Sequence, residues 1–334
     1  MNILNVTKTS NSFFINIITK YFLLFATIFV ILIFGLIQPK IFDIDNLMDI
    51  LRTSSVIGMM AVGLSIVMSC KEIDFAVGAE ASFVAVIVGK LLESPSFDSY
   101  LIALFIGMIA IALIGFVNSI LVIRVGIPSF IATLGISALI KGLLKFLTDS
   151  GTLFSYNWPN SFTFLGQGYL LNIIPIPIIV YGIIALAVIY FTDKTKTGRY
   201  IYAIGANPVA CTNVGINVKS EKTIAFILCA LVCGFSGVVQ SSTLNSASYY
   251  MGDQNLLNSI STMMLGATFL KPGMFNVPGT VVASILMAVI ANVVIMLGAT
   301  FYMKDIVQGG ILLLSIGIIA KIRKEGLPSI SFIN

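Results

Sequence analysis

Histidine is missing from all 334 residues, and tryptophan occurs once, as Trp158. Without histidine, a metal centre of the usual ligand set or a histidine-based catalytic triad has little to build on. Charge is also scarce. Asp, Glu, Lys and Arg make up 10% of the chain against 58% hydrophobic residues, and the mean hydropathy is +1.04. So few charges cannot coat a water-soluble globule. No Gly-x-x-x-x-Gly-Lys-Ser/Thr phosphate loop is present, so the chain has no ATP-cradling motif of that kind. The four cysteines, Cys70, Cys211, Cys229 and Cys233, lack the paired loop spacing of a disulfide framework. Cys229 and Cys233 stand one helical turn apart in an apolar run and read as small packing residues. The net charge of +5 is scattered over loops with no basic stripe and no interleaved aromatics, which argues against a nucleic-acid partner.

What the chain does have is repeated apolar runs of about 20 residues, the length that crosses a bilayer as a helix. They point to an all-α integral membrane protein, because barrel strands would alternate in much shorter segments. About ten transmembrane helices are expected, near Tyr21–Gln38, Ser54–Ser69, Val77–Leu92, Tyr100–Ile123, Phe130–Leu147, Leu171–Thr192, Thr223–Thr243, Leu256–Leu270, Gly279–Leu297 and Phe301–Ala320. The first run reads as a span and not a cleaved signal, since only Gln38-Pro39-Lys40 follows it. The second, third and eighth are short. With Gly58, Gly63, Gly78 and Gly266 inside them, they suggest short or broken helices whose exposed backbone is satisfied by protein or water.

Placing both termini in the cytoplasm sets Lys8, Lys20, Lys71, Arg124, Lys194, Lys196, Arg199, Lys219, Lys222, Lys271, Lys321, Arg323 and Lys324 inside. Asp43, Asp45, Asp49, Glu93, Asp98, Asp149, Asp253 and Asp305 then lie outside. This asymmetry satisfies the positive-inside rule, and an odd number of spans would export the Lys321, Arg323, Lys324 cluster. Residues 148–170, with Trp158-Pro159-Asn160, become an extracytoplasmic loop, and residues 193–222 a cytoplasmic one. No linker or soluble domain is visible, so residues 1–334 read as a single membrane domain.

The cytoplasmic loop is a polar, glycine-punctuated island. Gly198 and Arg199 are expected to end the sixth span, and Gly205-Ala206-Asn207-Pro208 reads as a helix start. Asn207 is a good N-cap, Pro208 suits the first helical position, and Gly215 closes one to two turns. Ala210, Cys211 and Thr212 would present small side chains to a docking partner. Local chemistry alone fits an amphipathic interfacial loop equally well.

Gly198-Arg199, Tyr202-Ala203, Gly205, Asn207, Ala210 and Gly215-Ile216 together resemble a segment of the permease subunits of bacterial ABC importers for monosaccharides. That group includes ribose, xylose, galactose and furanosyl autoinducer transporters. Ile73-Asp74-Phe75-Ala76-Val77-Gly78 is similar to the family's Ile-Asp-Leu-Ser-Val-Gly, and Gly115-Phe116-Val117-Asn118 to its Gly-x-x-Asn-Gly. Pro128 to Gly135 is similar to its Pro-x-Phe-Ile-Ala-Thr-Leu-Gly, and the matches run in order over nearly the whole chain.

The resemblance implies a permease that pairs with a second permease, the same or homologous, in the bacterial cytoplasmic membrane. It implies two ATP-binding domains that touch the inner loop and an extracytoplasmic substrate-binding protein that delivers the ligand. ATP and Mg would be used by the partner ATPase, with no cofactor in this chain and no catalytic or metal-binding residue. Arg199, Gly205, Asn207, Pro208, Ala210 and Gly215 would form the ATPase-coupling element, with Arg199 and Lys219 pairing to acidic groups. Asp74 and Gly78 would shape a structural turn. Two departures stand out. The family's Gly-Gly before Ile-Asp is Lys71-Glu72 here, and its Leu-Gly-Gly-x-x-x-x-Gly-Gly is Leu265 to Gly273 with Ala267 and Pro272 replacing glycines.

Polar groups at membrane depth are functional candidates, since a charge there costs about 3 kcal/mol or more on insertion scales. Glu80 is expected to pair with Lys71 near the inner interface, and Lys145 to snorkel outward, with Lys141 one turn before it. Asn118, Thr133, Ser137, Asn258, Ser261, Thr262 and Asn292 are candidates for a weakly polar translocation path, although such residues also bond neighbouring helices. An ion-coupled secondary transporter, or an ABC permease for a branched-chain amino acid or nucleoside, is the alternative. Sparse intramembrane acids weigh against the first, and the lack of paired charges weighs against a zwitterion.

Overall fold

The computed structural model describes residues 21, 23–94, 99–154, 158–299 and 301–324. The helices are α1 (Leu23–Ile37), α2 (Ile44–Ser69), α3 (Val77–Glu93), α4 (Tyr100–Ser119), α5 (Ser129–Leu147), α6 (Asn160–Gln167), α7 (Ile176–Lys194), α8 (Lys196–Ala206), α9 (Pro208–Asn213), α10 (Val218–Leu244), α11 (Leu256–Gly266), α12 (Val277–Met296) and α13 (Phe301–Lys324). A π-helical turn, Ile120–Val125, prolongs α4. Short strands β1 (Thr152–Phe154) and β4 (Ser246–Ser248) pair antiparallel, as do β2 (Tyr169–Leu170) and β3 (Ile174–Pro175).

Each of the ten expected apolar runs falls in a helix. Among the described residues six helices, α2, α4 with its extension, α5, α7, α10 and α12, are long and apolar enough to cross a membrane. The third and eighth runs are short as expected, with 17 residues in α3 and 11 in α11. The second is not. It begins at Ile44 and runs for 26 residues, because the polar stretch Asp45 to Arg52 continues the same helix. The sixth begins at Ile176, five residues later than expected, since Leu171 and Asn172 take left-handed φ values of 54° and 56° in the β2–β3 turn. Residues 1–20, with Lys8 and Lys20, and Asp98 lie outside the described residues.

Helix α10 is the centre of the packing and lies against α2, α3 and α4. Small residues set those distances. Gly63 of α2 faces Cys229 and Cys233, Gly234 faces Val84 and Ile111, and Gly237 sits on the backbone of Ala81. The two cysteines are therefore packing residues, fully buried where a larger side chain would push α2 away. In contrast, α4, α5 and α7 turn Phe105, Leu113, Leu139, Phe146, Ile183 and Leu186 outward. An apolar surface of that extent suits hydrocarbon and not water.

Candidate functional site

The segment after α7 is built of two short helices. Thr195 accepts the Gly198 N–H on its Oγ1 at 3.0 Å and caps α8. Gly198 and Arg199 thus lie in the first turn of α8 and do not end the preceding span, because the Thr195 cap starts a new helix. Ile201 and Ile204 are buried, and Gly205 lies directly on the carbonyl oxygen of Ser69 at the end of α2. Asn207 then caps α9, its Oδ1 accepting the Ala210 N–H at 3.0 Å, with Pro208 in the first helical position. Gly215, at φ 83°, ends the unit in a conformation that favours glycine. Val209, Ala210 and Thr212 are exposed. Cys211, expected among them, points inward at 5% exposure and joins the main apolar core.

Beside this element opens a cleft of about 370 Å³, lined among others by Arg199, Tyr202, Asp193, Lys271 and Asn276. Asn276 was not among the expected site residues. Its Nδ2 donates to the carbonyls of Gly266, Phe269 and Met274, while its Oδ1 accepts the Gly279 N–H. It thereby folds the α11–α12 turn and caps α12. The sequence signal was an Asn followed closely by Pro, the same device as Asn207-Pro208.

The turn between α2 and α3 is tied down at nearly every residue. Lys71 adopts φ 63°, a left-handed conformation, at the position where the resembling family carries a glycine. The Glu72 carboxylate accepts from the Lys222 ammonium of α10. Ser129 Oγ accepts the Ile73 N–H at 3.2 Å, and Thr133 Oγ1 accepts the Phe75 N–H at 2.9 Å. Asp74 Oδ1 accepts the Ala76 N–H at 2.8 Å, and Gly78 leaves room for the backbone and side chain of Asp253. Burial raises the Asp74 carboxyl above the ordinary carboxylate range, against the pull of the Ala76 and Asn118 donors. Burial likewise pushes the neighbouring Cys70 thiol up to about 12, with the Lys222 ammonium opposing it. At the second departure from the family pattern, Ala267 takes an ordinary φ of −70°, whereas Leu270 in the same segment takes a left-handed φ of 57°.

Glu80 does not pair with Lys71. Its Oε1 accepts from Asn118 Nδ2 at 3.1 Å, and Lys71 sits in the turn beyond reach of an ion pair. Lys141 forms a 2.6 Å ion pair with Asp253 and does not simply extend toward water, whereas Lys145 is exposed and stands over the Tyr249 ring at 5.0 Å.

The polar residues considered for a translocation path are not collected in one lining. Asn118 and Thr133 both serve the Ile73–Glu80 stretch, and Ser137 is buried one turn further along α5. Asn258 and Ser261 are buried on α11, where Ser261 Oγ donates to the Leu257 carbonyl and Thr262 Oγ1 to that of Asn258. Asn292 Nδ2 donates to Asn46 Oδ1 at 2.8 Å. Asn258 Oδ1 and Asn292 Oδ1 have no protein partner.

Residues 46–316 match the family model described as the branched-chain amino acid transport system permease component. The ribose import permease protein of Escherichia coli K12 is 32% identical over 298 residues, 88% of this chain and 91% of the relative. The D-allose transport system permease protein of the same strain is 28% identical over 90% of this chain and 91% of its own. The autoinducer 2 import system permease protein of Yersinia pestis Pestoides F is 29% identical over 86% of this chain and 80% of its own. No solved structure matches the chain.

Proposed function

The chain belongs to the family of branched-chain amino acid transport system permease components, and from that premise we propose that it is the permease subunit of an ABC importer for a monosaccharide or sugar-like molecule. The observation that carries this reading is the 32% identity to a ribose import permease across 88% of the chain. The allose and autoinducer 2 permeases point to the same substrate class. A zwitterionic amino acid would ask for buried charges of both signs. Here the fully buried acids, Asp74 and Glu80, have no buried cation beside them among the described residues.

In this reading ten helices cross the bacterial cytoplasmic membrane, with both termini and the α8–α9 unit inside and residues 148–170 outside. ATP and Mg act in two partner ATPase domains. A substrate-binding protein meets the outer loops, and a second permease completes the path. Helix α9 sits in a cleft of the ATPase, with Arg199 and Lys219 available to acidic groups on it. Movement there reaches the membrane through two contacts, Gly205 on Ser69 and Lys222 with Glu72. The first joins α8 to the end of α2 and the second joins the start of α10, just after α9, to the α2–α3 turn, so a displacement of α9 biases the inward-open against the outward-open state. Asn258, Ser261 and Asn292, with Thr133 and Ser137, supply the polar atoms of the path. The unpartnered amide oxygens of Asn258 and Asn292 suit sugar hydroxyls.

The test is purification of the detergent-solubilised chain from its native membrane with whatever remains bound. An ATP-binding subunit and ATPase activity in the same fraction are expected. A stable complex with no ATPase, and uptake that follows an ion gradient, would overturn the reading.

A further inference from the structure

Asp74, Glu80 and Asn118 come together from the α2–α3 turn, the first turn of α3 and the last turns of α4. All three are 0% exposed. Asn118 Nδ2 lies 3.1 Å from Glu80 Oε1 and 3.4 Å from Asp74 Oδ2, so one amide donor serves two carboxyl groups. The titratable groups facing Glu80 are Asp74 from the turn and the thiols of Cys229 and Cys233 from α10. The other charges on elements packed against α3 are engaged or turned away. Lys141 of α5 holds Asp253, Lys222 of α10 holds Glu72, and Arg124 at the end of α4 is exposed. Among the described residues no ion pair joins Asp74 or Glu80 to a cation.

Two atoms in this cluster have no partner, Glu80 Oε2 and Asn118 Oδ1, and both are buried. They belong to the two groups already joined by a hydrogen bond. A carboxylic acid and a primary amide can pair through two antiparallel bonds, amide N–H to acid carbonyl and acid O–H to amide carbonyl. The first of these bonds is in place, and a proton on Glu80 Oε2 would supply the second for the unpartnered Asn118 Oδ1. Two adjacent buried carboxyls without a counter-ion cannot both stay ionised. Asp74 accepts from two donors, the Ala76 N–H and the Asn118 amide, whereas Glu80 has a share of one. The ionised state therefore suits Asp74 and the neutral acid suits Glu80. Amide and carboxyl already touch, which leaves no place between them for a metal ion, while a proton adds no volume.

We propose that Glu80 is a proton-binding site, its Oε2–H donating to Asn118 Oδ1, with Asp74 remaining the carboxylate. The proton is taken from solvent as the chain folds, and no covalent bond between heavy atoms changes. The closed acid–amide pair fastens the start of α3 to α4 without placing a second charge in the interior. The site involves neither the ATPase nor the transported molecule, so its failure would leave the importer reading untouched.

Infrared difference spectra of the purified full-length chain against Glu80→Gln at neutral pH test it. The wild type should show the carbonyl stretch of a protonated carboxylic acid, shifted in heavy water, and the variant should lose it. Glutamine reproduces both hydrogen bonds of the neutral pair without taking up a proton on folding, so this variant should fold and, at neutral pH, melt no lower than the wild type. A folded chain binding one more proton than the unfolded chain loses stability as pH rises. Melting temperature should therefore fall with rising pH more steeply in the wild type than in Glu80→Gln. Asp74→Asn, where it folds, should keep the band. No acid band in the wild type, a band that survives Glu80→Gln, or a Glu80→Gln chain that cannot fold would each overturn the proposal.

Discussion

Gly205 of the inner helix α8 rests on the carbonyl oxygen of Ser69, the last residue of α2, and a methyl group built on Gly205 would collide with that oxygen. The polar inner unit and a buried membrane helix are thus in backbone contact. Neither side of the contact is a flexible side chain that can move aside.

Gly205→Leu should therefore destabilise the chain by about 1–3 kcal/mol, the range for forced overpacking. Gly142→Ala on α5, where nothing stands within 4 Å, should be neutral or slightly stabilising. Thermal unfolding of the two purified variants separates a steric effect from a general intolerance of glycine replacement.

Asn207→Ala removes the cap of α9 and should cost about 1 kcal/mol of local helix stability, whereas Asn207→Asp keeps an acceptor for the Ala210 N–H. Faster amide hydrogen exchange over residues 210–213 in the alanine variant alone is the expected readout.

Ala210→Trp places a large ring on the exposed face of α9. It should abolish uptake and substrate-stimulated ATP hydrolysis while the chain still inserts and folds. Normal uptake in this variant would remove α9 from the coupling path.

Lys141 and Asp253 hold α5 to the segment before α11 through a partly buried ion pair. Lys141→Ala and Asp253→Ala each strand the opposite charge and should cost on the order of 1–3 kcal/mol. The double variant should cost less than the sum, as a double-mutant cycle in thermal or denaturant unfolding would show.

Cys70 should resist maleimide in the folded chain at neutral pH. Its thiol is buried and pushed up to about 12, so almost no thiolate is present to react. Mass spectrometry should find the label at Cys70 only after denaturation, and prompt labelling of the native chain would show that the end of α2 is open.

The helical pattern and the short third and eighth runs were legible because apolar length and glycine placement act locally. The cap at Asn207-Pro208 was legible for the same reason. Longer-range pairings were not. Charge and proximity in sequence suggested Lys71 for Glu80, but Lys71 takes a left-handed turn and the carboxyl meets Asn118, 38 residues away. Glu72 finds Lys222 across 150 residues, a distance at which no periodicity carries information. Cys211 was grouped with Ala210 and Thr212 as a small residue open to a partner, yet its side of the short helix falls toward the core. The polar path residues were chosen by type alone, and type does not reveal that Thr133 also accepts the Phe75 N–H of the α2–α3 turn.

The most direct measurement is uptake of labelled ribose into liposomes carrying this chain together with its co-purified ATPase subunits and substrate-binding protein, with allose and autoinducer 2 run alongside. Uptake of at least one of these compounds that requires ATP and the ATPase, and persists after ion gradients are collapsed, is the predicted result. Uptake that proceeds without the ATPase and disappears with the ion gradient would contradict it.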